Sequence, residues 1–382
     1  MNKGIKGFRR AGWLVAGAAM LAVAAYLLFP TVRRARRERI RPLEAVPADA
    51  FLVATVDLDA LRGSPLGASL LGPRADRVIG GRNVTELCGF DPLARTSELA
   101  LAVPETGEPG EFAVVVRADL SREELLGCAQ KVLSRGAEQG PGATTSQRGS
   151  YTLFTLVAGD SGVPRPAPTL AYREGGPFIV GQGAWLDAVL DAVEGRGTRA
   201  TAAGDHASLR RELGELGEAS LPLVVDVTVR LPASVRERVR ASMADSLDQA
   251  DPRQARIMDG VLGVATAGVA VRAGAAGGAA EVAAVAHCEK TPDCAEVETL
   301  LGKKRLDWSK QFSVRLLGLG ALLDSMTIDR HDAMLKVSAR AASNEVAGAV
   351  ERLLRGVGSP TPPQRTPPAD EVVTAPRDAG GP

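Results

Sequence analysis

This chain of 382 residues is poor in aromatic rings, in histidine and in cysteine, and its charges nearly cancel. Eight Phe, three Tyr and three Trp are scattered, and Phe8, Trp13, Tyr26 and Phe29 all fall within residues 1–45. Platforms that stack bases or sugars need rings in clusters, and none occurs. The net charge of +1 conceals a split. Residues 1–45 hold ten Lys/Arg against two acids, which leaves 36 basic and 43 acidic residues in the rest. A mildly acidic body repels phosphate backbones, so nucleic acid is excluded as a partner.

Residues 11–29 form an uncharged and almost wholly apolar run. At about 1.5 Å per helical residue, such a run nearly spans a bilayer core. Lys3, Lys6, Arg9 and Arg10 precede it, and Arg33, Arg34, Arg36, Arg37, Arg39 and Arg41 follow. Trp13 near one end, with Tyr26 and Phe29 near the other, suits the two interfaces. Ala22, Val23 and Ala24 offer a signal-peptidase pattern, but Tyr26, Leu27, Leu28 and Phe29 continue the apolar stretch past that point. We therefore expect an uncleaved single-pass anchor in the inner (cytoplasmic) membrane, with the bilayer as partner through residues 11–29.

Two signals bear on orientation and disagree. Four basic residues before the run and six after it would put the following chain in the cytoplasm. The four cysteines favour the other side. They fall as Cys88 with Cys128 and Cys288 with Cys294, an even set that two bridges in an oxidising compartment would explain. The expectation is an extracytoplasmic body with both bridges formed.

The body alternates short β-rich runs with helical stripes. Strands are predicted over residues 51–57, 98–103, 112–117, 151–157, 169–172 and 178–180. Ser121 and Glu124 form a capping box ahead of a stripe made by Leu125, Cys128, Ala129, Val132 and Leu133. A second helix starts at Trp185. The second half repeats this order: a strand over 221–229, a helix over 234–243, and a hairpin of 264–272 with 281–287. Thr291 and Pro292 then open a helix carrying Cys294, Val297 and Leu301. Residues 326–341 read as a hairpin, and Val346, Val350, Leu353 and Leu354 stripe a last helix. The fold class is α+β: after the transmembrane helix come two related antiparallel-sheet domains, each with helices packed on one face. The expected division is an anchor at 1–45, domains at 46–197 and 198–357, and a disordered Pro-rich tail at 358–382. Residues 194–204 serve as the linker.

Residues 46–58, with Val46, Pro47, Phe51 and Asp57, resemble the opening of uncharacterised bacterial membrane-anchored proteins. Cys88, Gly89, Phe90, Asp91, Pro92 and Leu93 ahead of an apolar strand are similar to them too. The resemblance implies a bacterial, anchored, tandem α+β protein and carries over no functional residue.

No segment holds a catalytic signature in its proper context. Gly159, Asp160, Ser161 and Gly162 resemble the nucleophile motif of trypsin-like serine proteases, and residues 284–288 resemble its histidine motif. A Ser161–His287 pair would then need an aspartate. The order is reversed, Val163 stands where a glycine belongs, and the helices do not suit a double β-barrel. His287, Cys288, Glu289, Asp293 and Cys294 lack zinc-ligand spacing, and His206 and His331 have no ligand-like neighbours. Gly181 and Gly183 without a third glycine, and Lys303–Lys304 without a P-loop frame, read as ordinary turns and surface. Asp57, Asp59 and Asp226 are expected to cap or end strands. The sequence thus points to a non-enzymatic protein that needs no cofactor or metal and binds or scaffolds another envelope component. A membrane-tethered serine hydrolase using Ser161 and His287 is the alternative.

Overall fold

A computed structural model describes residues 40–71, 81–105, 111–134, 143–156, 168–202, 204–243, 251–275 and 277–357. The expected anchor at 11–29, the 358–382 tail and Ser161 lie outside them. Among the described residues no helix is long and apolar enough to cross a membrane.

The first half runs β1 (Ala50–Asp57), α1 (Leu58–Arg62), α2 (Pro65–Leu70), α3 (Gly81–Cys88), β2 (Thr96–Pro104) and β3 (Ala113–Ala118). It continues with α4 (Arg122–Ser134), β4 (Ala143–Arg148), β5 (Tyr151–Leu156), β6 (Thr169–Tyr172), β7 (Phe178–Gly181) and α5 (Gly183–Val193). The second half runs α6 (Asp205–Leu216), β8 (Leu223–Arg230), α7 (Ala233–Ser242), α8 (Pro252–Leu262), β9 (Val264–Ala273) and β10 (Ala279–Cys288). After it come α9 (Thr291–Lys310), α10 (Phe312–Leu316), α11 (Gly320–Asp324), β11 (Thr327–His331), β12 (Met334–Ala342) and α12 (Ser343–Val357).

Local chemistry sets several of these boundaries. Asp57 ends β1, as expected, and also caps the unexpected helix α1 by accepting from the Ala60 amide at 2.8 Å. The capping box forms at α4: the Ser121 amide donates to Glu124 and the Glu124 amide donates to Ser121 Oγ, both at 3.1 Å. Asp251 caps α8 through the amides of Arg253 and Gln254. Thr291 falls inside α9 rather than at its cap, one position off the expectation.

All strands join one twelve-stranded antiparallel sheet in the order β11-β12-β10-β9-β8-β1-β2-β3-β7-β6-β5-β4. The two expected sheets are therefore a single one, fused where β1 pairs with β8. The order outward from that junction is the same in both directions. β1-β2-β3-β7-β6 on one side matches β8-β9-β10-β12-β11 on the other. Thr55, Val56, Leu58 and Ala60 also recur at matching places as Thr228, Val229, Leu231 and Ala233. In that alignment Ala54 matches Val227, and these two residues are direct cross-strand partners. A local two-fold axis thus passes between them, perpendicular to the sheet.

Helices cover both faces, which corrects the expectation of one. In β2, Leu99 and Leu101 pack with α1 to α4, whereas Ala100 and Ala102 lie under α5 and the 3-10 turn at Pro42–Ala45. A continuous apolar run such as Leu99 to Val103, without polar alternation, marks a strand buried on both sides. In the second half Cys294 and Val297 of α9 cover one face, and Leu209 and Leu213 of α6 cover the other. The repeat breaks at its last helix. α5 covers the first half, but its counterpart α12 crosses over to pack on α2, where Ser69 Oγ donates to the Ala347 carbonyl at 3.0 Å.

Residues 194–202 are docked rather than free. The Ala48 amide donates to Thr198 O and the Ala200 amide to Val46 O, and Ala200 is fully buried. At the sheet's two ends, the exposed strands β4 and β11 carry Thr, Ser, Gln, Asp, Arg and His. Polar and charged edges discourage further strand addition.

Candidate functional site at the internal two-fold

The junction of the two halves is where charge enters the interior. A cavity of about 450 Å³ opens there beside α6, lined among others by Arg41, Thr55, Glu98, Arg210, Asp226 and Arg272. Sheet pairing aligns the strand-borne members. Thr55 of β1 faces Asp226 of β8, Asp57 faces Glu98, and Arg272 of β9 faces Glu281 of β10.

Helix α6 supplies the rest. Asp205 favours its first turn through the helix dipole. His206, Leu209, Arg210 and Leu213 then fall at spacings of three and four, on one face. That face lies on the sheet, so a histidine and an arginine go inward with two leucines.

Asp226 is buried and fully engaged. Its carboxylate accepts from Thr55 Oγ1 at 2.7 Å and from Arg210 Nε at 2.9 Å, and Arg210 Nη2 lies 2.7 Å away. Glu98, also buried, accepts from Arg41 at 3.1 Å and lies 3.6 Å from Arg117. Arg272 donates to the Leu213 carbonyl at 2.9 Å, placing a cation at the C-terminal end of α6. Buried ions need partners of this kind to offset lost hydration. The sequence expectation placed Asp226 at a strand end. It stands mid-strand, because a guanidinium and a hydroxyl reach it from α6 and β1.

His206 is fully buried, 2.8 Å from both Thr228 Oγ1 and the Ala50 carbonyl oxygen. A carbonyl only accepts, so Nε2 carries the proton and Nδ1 accepts from the Thr228 hydroxyl. Burial pushes the His206 pKa below its ordinary value, and Arg210 and Arg230 add to the depression. The imidazole stays neutral and pins α6 to both halves.

This arrangement anchors helices. Outside the cavity, His287 Nε2 lies 2.7 Å from Glu212, and Ser208 Oγ donates to the other Glu212 oxygen at 3.2 Å. The carboxylate stands between hydroxyl and imidazole. Serine activation needs the imidazole in that middle place. Asp59 pairs with Arg62 on α1, and Gly183 turns the chain into α5 with a φ of 69°. Lys303 and Lys304 are exposed on α9. Among the described residues, no three His, Cys, Asp or Glu side chains converge to hold a metal ion.

The cysteines pair as their order predicts. Cys88, at the end of α3, bridges to Cys128 of α4, with Cα atoms 4.7 Å apart. Cys288, at the end of β10, bridges to Cys294 of α9, with Cα atoms 5.6 Å apart. α4 and α9 are equivalent in the two halves, so each repeat ties the same helix down from a different neighbour.

Sequence reasoning passed over Thr55, Glu98 and Arg210, and weighed His206 only as a metal ligand. The available signal was a polar or charged residue inside an apolar strand, as with Asp226, Arg272 and Glu281.

The fold and the junction define a class: a two-fold-repeated α+β body built on one wide antiparallel sheet. No family model matches the chain, and no curated protein matches it. Among solved structures it is similar to TP0453. Crystal form III aligns with a TM-score of 0.42 at 9% identity, covering 82% of this chain and 98% of that one. Crystal form I aligns with a TM-score of 0.40 at 10% identity, covering 83% and 100%.

Proposed function

We propose that this is a non-catalytic protein tethered to the inner membrane by residues 11–29. Its two-fold α+β body stands on the extracytoplasmic side and binds or scaffolds an envelope component there. The observation that carries the reading is the pair of cystines, one in each repeat, with no free cysteine among the described residues. Such bridges persist in oxidising compartments and are rare where thiols are kept reduced. Both oxygens of Asp226 and both ring nitrogens of His206 have hydrogen-bond partners, which supports a structural use of these two groups. The finer division into two tandem domains, 46–197 and 198–357, belongs to the same reading, as do the 1–45 anchor and the 358–382 tail.

A membrane-impermeant maleimide applied to intact cells, with and without prior reduction, tests it. Labelling that appears only after reduction is expected. Labelling that instead needs a permeabilised membrane and no reductant would place the body in the cytoplasm with free thiols. Fluorophosphonate labelling that disappears in Ser161→Ala would replace the non-catalytic reading with the hydrolase.

A further inference from the structure

The buried residues of α9, Cys294 and Val297, both lie near its start, and α10 has none. The single residue Gln311 separates the two helices and turns the chain. Around this elbow large apolar side chains face solvent: Leu306 is 57% exposed, Trp308 45%, Phe312 79% and Leu316 65%. Exposed lysines lie among them at Lys303, Lys304 and Lys310, with Asp307 as the acid of the same stretch, while Arg315 pairs with Asp324 at 3.7 Å and donates to the Ser309 carbonyl at 2.6 Å.

Scattered exposed apolar residues are ordinary, whereas a contiguous set marks an interaction surface. The chemistry selects the partner. Lysine is depleted from protein–protein interfaces. At a bilayer its aliphatic stem lies along the apolar boundary while the ammonium meets a headgroup. Trp, Leu and Phe mixed with Lys and Arg at a helix end is the composition of a segment that lies in the interface of an anionic membrane. We propose that the α9–α10 elbow docks onto an anionic lipid surface. Phe312 and Leu316, four residues apart on one face of α10, enter the acyl boundary, and Lys303, Lys304 and Lys310 engage phosphates.

The proposal rests on the tethered reading for its reach. Ten residues, 30–39, separate the apolar run from Ile40. Fully extended they span at most about 36 Å, which keeps the body within about one domain diameter of the bilayer. The tether holds the chain at the membrane, and the elbow fixes which side of the body faces it.

The test uses the full chain in vesicles of phosphatidylcholine, alone or mixed with phosphatidylglycerol, doped with a lipid bearing a photoreactive acyl chain. Adducts are mapped by mass spectrometry. The expected result is adducts within residues 306–316 that rise several-fold with the anionic lipid. They should fall to background in Phe312→Asp/Leu316→Asp, while adducts within 11–29 persist. Adducts at 11–29 without any at the elbow overturn the docking and leave the tether standing. Elbow adducts alone keep the docking and overturn the tether. Equal labelling in both lipid mixtures overturns the anionic-lipid assignment.

Discussion

His206 of the second half donates its Nε2 proton to the Ala50 carbonyl of the first half at 2.8 Å. Thr228 completes the ring's hydrogen bonding from the other side. The bond crosses the junction and joins α6 to both central strands. Its pH dependence follows from the depressed pKa, whose main cause is burial. The unfolded chain takes up a proton near pH 6.5, above the pH at which the folded ring does. Stability from this site is therefore complete above about pH 6.5 and is lost as the pH falls toward the folded value. Denaturant midpoints should decline from pH 7 to pH 5 in the native chain and decline less in His206→Gln. That variant should already be weaker at pH 8. Parallel slopes for the two proteins would show that another group governs the decline.

The Arg210–Asp226 pair makes an asymmetric prediction. Removing one partner leaves the other charge buried, which typically costs about 3–5 kcal/mol. Removing both in favour of apolar residues costs far less. Asp226→Ala should thus destabilise more than the double replacement Arg210→Met/Asp226→Leu. Urea unfolding of the single and double variants decides the point. Additive losses would mean that the pair is not coupled.

Much of the fold was legible because its strands are apolar and its turns are chemically marked. Ser121 and Glu124 signalled a helix start that the structure contains. The order of elements around Cys128 and Cys294 disclosed the internal repeat. The single sheet was not legible, because the β1–β8 pairing lies between segments far apart in sequence and depends on a register no local pattern encodes. Helix α6 was missed for a related reason. Its inward face carries His206 and Arg210, so its apolar stripe is only half apolar. The cleft stayed hidden with it, since Asp226 reads as a cap until Arg210 and Thr55 are brought to it. Strand β4, with Thr144, Thr145, Ser146 and Gln147, is polar enough to read as a loop.

Gly67 predicts a steric cost. It is buried at the start of α2, and a β-carbon there would run into the Leu61 carbonyl and the Arg62 backbone. Backbone cannot swing aside as the end of a flexible side chain can. Gly67→Ala should lower stability by about 1–3 kcal/mol, the usual range for overpacking, despite the higher helix propensity of alanine. Gly214→Ala in α6, where nothing crowds the new methyl, is the matched control and should be neutral or stabilising. Equal thermal midpoints for the two variants would remove the steric account.

The two cystines should differ in what they contribute. In the chain-entropy view a bridge stabilises by restricting the unfolded state, more so for a longer loop. Cys88 and Cys128 are separated by 40 positions and Cys288 and Cys294 by 6. The model gives about 4 kcal/mol for the first and about 2 kcal/mol for the second. Cys88→Ala/Cys128→Ala should therefore lose more stability than Cys288→Ala/Cys294→Ala. The first pair joins α3 to α4 across the core of the first half, so its loss should also expose α3 to proteolysis near residues 81–88. The second pair only clamps the turn from β10 into α9, where the Cys288 amide still donates to the Ala333 carbonyl. Guanidinium unfolding of the two double variants, each with the other bridge intact, measures the difference. A larger loss from the short loop would mean that packing around Cys294, rather than loop closure, sets the contribution.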